Sequence, residues 1–114
     1  MSFEQFEERS LKSMQQELDE YIGQFKLGYF PALSQLARLT EELGELSREV
    51  MHVHGEKQKK STEKEGFIEE ELTDVFVNVL IFANSLGIDL TQSFSKDMEK
   101  FNKRDKNRYE RVDG

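Results

Sequence analysis

Residues 72–86 constrain this chain more than any other stretch. Leu72, Val75, Phe76, Val77, Val79, Leu80, Ile81, Phe82, Ala83 and Leu86 are apolar on nearly every side of a helix. Such a helix is stable only when other elements cover most of its surface. Glu71, Asp74 and Asn78 nevertheless follow i, i+3, i+7 spacing and share one narrow polar strip along it. A carboxylate enclosed by apolar neighbours is costly unless a cation or hydrogen-bond donors pair with it. No Lys or Arg stands on that strip. A bound hard cation resolves the conflict, and Mg2+ suits oxygen ligands while keeping waters that leave room for phosphates.

The elements able to cover this segment are helical as well. Leu11, Met14, Leu18, Ile22 and Phe25 mark one face of a first helix, which starts at Phe3 or Ser10 and stops before Gly28. A second begins near Pro31, whose missing N–H suits a first turn. Leu36, Leu39, Leu43, Leu46, Val50 and Val53 carry its stripe as far as Gly55. Residues 55–66 follow, polar and lysine-rich, with a weak capping signal at Thr62 and Glu65, and read as a mobile loop. The third helix spans the region from Phe67 to Leu86 and Gly87 ends it. Asp89 then caps a fourth, with Phe94, Met98 and Phe101 as its apolar edge, and from Asn102 the chain turns strongly polar. The pattern predicts an all-α four-helix bundle. A lone bundle of this length cannot cover helix three on every side, so homo-oligomerisation completes the burial.

Composition narrows the function classes. A length of 114 residues predicts a single domain over 1–114. A net charge of −7 disfavours nucleic-acid binding, and the absence of cysteine removes disulfides and thiolate chemistry. One proline argues against a turn-rich β sandwich. The most apolar run, from Val75 to Ala83, falls short of the roughly 20 residues of a membrane span. The first residues lack a basic, then apolar, leader pattern, so the expected location is cytoplasmic and away from membranes.

The second helix carries Glu41, Glu42, Glu45 and Glu49; the third carries Glu69, Glu70, Glu71 and Asp74. Glu42, Glu45 and Glu49 lie beside the leucine stripe rather than opposite it. If the two helices pack antiparallel, Glu42 with Glu45 and Glu71 with Asp74 converge as two carboxylate pairs. That much negative charge repels itself without a cation. A plainer reading stands beside this one. Acidic residues in a first turn complement the helix dipole, as Glu69 to Glu71 would, and Glu41 can pair with Arg38 or Arg48. His52 and His54 are two apart, point to different sides and receive no role. No Glu-x-x-His pair occurs, which argues against a ferritin-like di-iron site.

Written out, the two segments read Glu41-Glu42-Leu43-Gly44-Glu45 and Glu70-Glu71-Leu72-Thr73-Asp74. This resembles the E-E-x-x-E … E-x-x-D signature of the MazG-like all-α nucleotide pyrophosphohydrolases. Tyr29-Phe30-Pro31 resembles that family's entry into its second helix, residues 84–90 its turn between helices three and four, and residues 100–104 its basic closing helix. The lysine-rich linker and Thr73 depart from the pattern. The resemblance implies hydrolysis of nucleoside triphosphates, ribo or deoxy and non-standard ones included, to the monophosphate and pyrophosphate. It implies Mg2+, with Mn2+ as the alternative ion, held by Glu42, Glu45, Glu71 and Asp74, in a homodimer or homotetramer.

Within that reading either Glu45 or Glu41 acts as general base. Lys100, Arg104 and Arg108 lie four apart and form a basic stripe able to meet phosphates, or else a solvated face that complements the dipole. Lys57, Lys59 and Lys60 can close over phosphate or remain solvated. Asn78 either contacts sugar or base or satisfies a neighbouring helix, and Phe30 either stacks on a base or plugs a core. Two further functions compete with triphosphate hydrolysis: a non-enzymatic helical interaction module, and a relative acting on phosphoribosyl-ATP.

Overall fold

A computed structural model describes residues 7–55 and 67–113. Among them are four helices and no strand: α1 (Leu11–Gly23), α2 (Ala32–His54), α3 (Ile68–Ser85) and α4 (Leu90–Asp105). The all-α expectation holds. A start of the first helix at Phe3 falls outside the described residues, as do the Thr62–Glu65 capping signal and the expected mobility of the lysine-rich loop.

Local chemistry sets the helix ends. The Ser10 hydroxyl accepts from Ser13 N–H at 3.1 Å and caps α1. The chain leaves α1 through Gly28, whose φ of +63° is a left-handed conformation that favours glycine. Pro31 precedes α2 and its carbonyl accepts from Gln35 N–H, closing the first turn. α3 ends in a Schellman motif. Ile88 N–H bonds back to Ala83 O and Gly87 N–H to Asn84 O, with Gly87 left-handed at φ +69°. The Asp89 carboxylate then accepts from Thr91 and Gln92 N–H and starts α4 at once. Ending one helix and capping the next within four residues turns the chain by 106° between α3 and α4. None of the described helices is by itself long and apolar enough to cross a membrane.

α2 and α3 form the main helix pair, α1 packs on α3, and α4 meets α1. Gln35 on α2 faces Asn78 on α3, while Glu45 lies by Glu71, so the two helices run antiparallel. A three-way polar joint locks the other elements together. Gln15 donates to Asn84 Oδ1 and to Ile88 O, both at 2.9 Å. Its own Oε1 accepts from Leu90 N–H at 3.0 Å, and Asn84 donates to Gln15 O at 2.9 Å.

As expected of a lone bundle of this length, the described residues do not cover α3 on every side. Leu80 and Ala83 are its buried apolar side chains, but Leu72 is 56% exposed and Phe76, Val79 and Leu86 are also open. Leu33, Leu36 and Leu43 on α2 and Phe94, Met98 and Phe101 on α4 are likewise exposed. Among the described residues, three helix pairs touch along limited faces and leave much of the apolar stripes uncovered.

Candidate metal centre

The i, i+3 spacing puts Glu42 and Glu45 on one face of α2, and the antiparallel pairing brings Glu71 of α3 against them. One carboxylate oxygen from each of Glu42, Glu45 and Glu71 lies within 4.8 Å of the others. Glu42 and Glu71 are partly buried and Glu45 is open to solvent. Glu71 Oε2 is buried with no hydrogen-bond partner among the described residues. Such an oxygen has lost its water without gaining a donor, a costly state.

The electrostatics agree with the crowding. Burial first, then the charges of Glu45 and Asp74, raises the Glu42 carboxyl above its ordinary value; Arg38 opposes the shift. Glu71 is raised by burial, by Glu45 and Asp74, by a hydrogen bond shared with Glu45, and by Glu49. The cluster is therefore short of positive charge. An all-oxygen donor set, like-charged and partly desolvated, fits a hard divalent cation, so the residues present match the group that the sequence pattern implies.

Not every residue singled out in the sequence arrives at this point. Asp74 is exposed and stands outside the three-carboxylate group, lining a hollow with Phe67, Glu69, Glu70 and Thr73. It remains near enough for its charge to raise both Glu42 and Glu71. Its expected apolar enclosure is absent in one protomer because the side of α3 bearing Leu72 and Phe76 is uncovered. Glu41 is exposed beside Glu42. Glu49, on the same face but given no role in the sequence reading, is buried one turn beyond Glu45.

Asn78 is buried, donates to Asp74 O at 2.8 Å and accepts from Gln35 at 3.3 Å. The helix-satisfying alternative is thus the one its hydrogen bonds realise. Lys100 and Arg104 lie on α4, which packs on α1 rather than on the acidic pair, and Arg108 falls in the turn beyond the end of that helix at Asp105. Lys100 pairs with Asp97 at 3.5 Å, while Arg104 and Arg108 both pair with Asp105. Lys100 and Arg104 also lie over the Phe101 ring. The charge of Arg38 on α2 reaches Glu42, whereas Lys100, Arg104 and Arg108 pair with carboxylates of their own segment. Lys57, Lys59 and Lys60 lie outside the described residues.

Comparison with known proteins bears on the family to which this chain belongs. The family model of the MazG nucleotide pyrophosphohydrolase domain matches residues 30–109, a stretch that holds both acidic pairs. The YpjD protein of Bacillus subtilis (strain 168) is 53% identical over 104 residues, covering 91% of this chain and 94% of its own. The crystal structure of YpjD from Bacillus subtilis superposes with a TM-score of 0.76 at 52% identity, covering 85% of this chain and 99% of that one. The crystal structure of the Bacillus-conserved MazG protein, a nucleotide pyrophosphohydrolase, gives 0.74 at 51%, covering 90% and 99%. With the acidic signature in place on the second and third helices of a shared fold, this chain belongs to the MazG nucleotide pyrophosphohydrolase family and is an enzyme of that class.

Proposed function

We propose that the protein hydrolyses nucleoside triphosphates to the monophosphate and pyrophosphate with Mg2+, and that Glu42, Glu45, Glu71 and Asp74 hold the ion. The observation that carries this reading is the meeting of three carboxylate oxygens from two helices within 4.8 Å. When bound, the cation supplies charge neutralisation for the polyphosphate and makes water a better nucleophile near neutral pH.

The chain's own residues do the rest. Glu42 and Glu71, partly desolvated, fix the position of positive charge. Glu45, at the open edge, accepts a proton from the attacking water; Glu41 is the alternative base. Water's oxygen forms the new P–O bond as the bridge between the α- and β-phosphates breaks and pyrophosphate leaves. Lys100, Arg104 and Arg108 meet phosphate only if α4 of a second copy reaches the acidic cluster. A homodimer or homotetramer would bring that about while covering the exposed faces of α3 and α4.

The test is turnover of each ribo- and deoxynucleoside triphosphate with Mg2+, reading monophosphate and pyrophosphate together. Asp74→Asn is expected to lower turnover by about tenfold or more, in the range typical of residues that tune a metal site. Absence of turnover on every nucleotide, or full activity in Asp74→Asn, overturns the assignment.

A further inference from the structure

Arg38 stands on α2 one helical turn before Glu42 and is exposed. Glu41 and Glu42 follow it at the i+3 and i+4 spacings that favour ion pairs on a helix. Among the described residues its guanidinium nevertheless closes no ion pair and no side-chain hydrogen bond. Arg9, Arg104, Arg108 and Arg111 are each held by a carboxylate. Arg38 instead lines a cavity of about 300 Å³ enclosed by the end of α1, the following turn, α2 and α3. Resting on the nucleotide reading above, we propose that Arg38 binds the α-phosphate of the substrate, the phosphoryl group that water attacks.

The first argument is charge. The four carboxylates proposed as ligands outweigh one divalent ion, so the loaded centre still repels a polyphosphate. The cations of the α4 segment are occupied by Asp97 and Asp105. The charge of Arg38 does reach the cluster, where it acts on Glu42. A fixed cation beside a metal centre weakens the hold on the metal, because like charges repel. A phosphate between the two turns that repulsion into two attractions. Arginine suits the place, since its planar fork can donate to two oxygens of one phosphate.

The second argument decides which phosphate it meets. Among the described residues Arg38 is the only charged group lining the cavity, beside Tyr21, Phe25, Phe30, Gln35 and Asn78. Pyrophosphate carries the larger charge, and an uncharged hollow cannot replace its water. It belongs on the open side of the cluster, where Glu45 meets solvent. The group on the Arg38 side is then the phosphate that stays with the nucleoside. In the reaction Arg38 keeps its proton throughout. Its N–H groups hold the non-bridging oxygens of that phosphorus while the water oxygen bonds to it and the bridge to the β-phosphate breaks.

The experiment measures binding of AMP, CMP, GMP and UMP, and separately of pyrophosphate, by calorimetry with Mg2+ present. Arg38→Gln is expected to weaken the tightest monophosphate by about tenfold or more, the size of a charge-assisted hydrogen bond. Pyrophosphate binding is expected to change by less than about threefold. Arg38→Lys, which keeps the charge without the fork, is expected to fall between wild type and Arg38→Gln for the monophosphate. Equal weakening of both products, weakening of pyrophosphate alone, or monophosphate binding that is absent in the wild type or unchanged in Arg38→Gln, overturns the proposal. Melting temperatures should be nearly the same in all three proteins, because the residue is exposed and unpaired.

Turnover separates a phosphate ligand from a prop for the acidic cluster. In Arg38→Gln kcat is expected to fall by about tenfold or more, through lost stabilisation of charge at the attacked group. The Mg2+ concentration for half-maximal rate should hold or fall, because a like charge has left the metal's surroundings. A higher Mg2+ requirement, with kcat restored at saturating Mg2+, makes Arg38 a support of the carboxylates and overturns the proposal. If no triphosphate is hydrolysed by the wild type while Arg38→Gln still loses the monophosphate selectively, the hydrolytic reading fails and the phosphate assignment stands.

Discussion

Near the C-terminal end of α3, Gln15 and Asn84 exchange hydrogen bonds with each other and with the start of α4, and every bond in the set pairs a donor with an acceptor. Near the N-terminal end of the same helix, Glu42, Glu45 and Glu71 set acceptor against acceptor. Both groups are polar and sit where helices meet. The first is complete within one protomer, so it holds the fold together. The second is incomplete, with one buried oxygen lacking a donor, so it is a receptor for positive charge. A satisfied polar cluster supports structure, and an unsatisfied one points to a ligand.

Glu71→Gln and Gln15→Ala separate these two roles, and they carry the largest expected effects. Glu71→Gln removes one charge from the acidic group and supplies a donor. Turnover is expected to fall by about 100-fold or more, equivalent to about 2.7 kcal/mol at 1.36 kcal/mol per decade. Metal-free stability should hold or rise, because like-charge repulsion is relieved. Gln15→Ala leaves Leu90 N–H, Ile88 O and Asn84 Oδ1 without their side-chain partner, while Asn84 keeps its bond to the carbonyl of residue 15. The expected cost is about 2 kcal/mol of stability with kcat nearly intact. Denaturation midpoints at one fixed protein concentration, with turnover on the same samples, decide the matter. A large stability loss in Glu71→Gln, or a large kcat loss in a folded Gln15→Ala, breaks the distinction.

The two regions also differed in how far the sequence disclosed them. Helix ends were legible because their causes are local: Asp89 caps its own helix, Gly87 supplies the left-handed turn, and Pro31 sits where an N–H is not needed. The acidic pairs were legible as i, i+3 repeats. The register of α2 against α3 was not, because it depends on which side chains interlock across the pair. For that reason Asp74 was expected in the same enclosure as Glu71, yet lies outside the tight group. Gln15 and Gln35 passed unnoticed, each a lone polar residue within an apolar stripe. That position was itself a signal, since a polar group on a buried face must have a partner. The incomplete covering of α3 was legible too, because a bundle of this length has too few elements to cover a helix that is apolar on nearly every side.

A smaller effect sharpens the same comparison through pH. Burial and neighbouring carboxylates raise Glu42 and Glu71 above their ordinary value of 4.5. The folded, metal-free protein therefore keeps protons that the unfolded chain has released. Their contribution to stability is fully present below about pH 4.5 and is lost as pH rises through the raised values. If the proposed assignment holds, Mg2+ takes over the role of those protons, so the pH dependence should flatten when it is present. Thermal melts between about pH 5 and 8, with chelator or with Mg2+, test this. A slope that is the same with and without Mg2+, or that persists in Glu71→Gln, would remove the acidic cluster as its source.

Tyr29 lies between the two extremes and carries the smallest effect. Its hydroxyl donates to Asp19 at 2.6 Å, tying the turn that walls the cavity to α1. Burial first, then the bond to Asp19, pushes the phenol up to about 12, while Asn84 pulls it the other way. The interaction pairs a donor with an acceptor, as at the Gln15 joint, but it is one exposed bond rather than a network. The sign follows from the raised value. Its contribution is fully present below the ordinary phenol value of 10.0 and is lost as pH climbs toward 12. Tyr29→Phe is expected to cost about 1 kcal/mol and to leave kcat unchanged. In the wild type, ultraviolet absorbance should show one phenolate appearing near pH 12, and that late step should vanish in the variant. If the late step survives Tyr29→Phe, or if the variant costs as much as Gln15→Ala, then single bonds and networks hold this fold equally, and the contrast between its polar regions loses its physical basis.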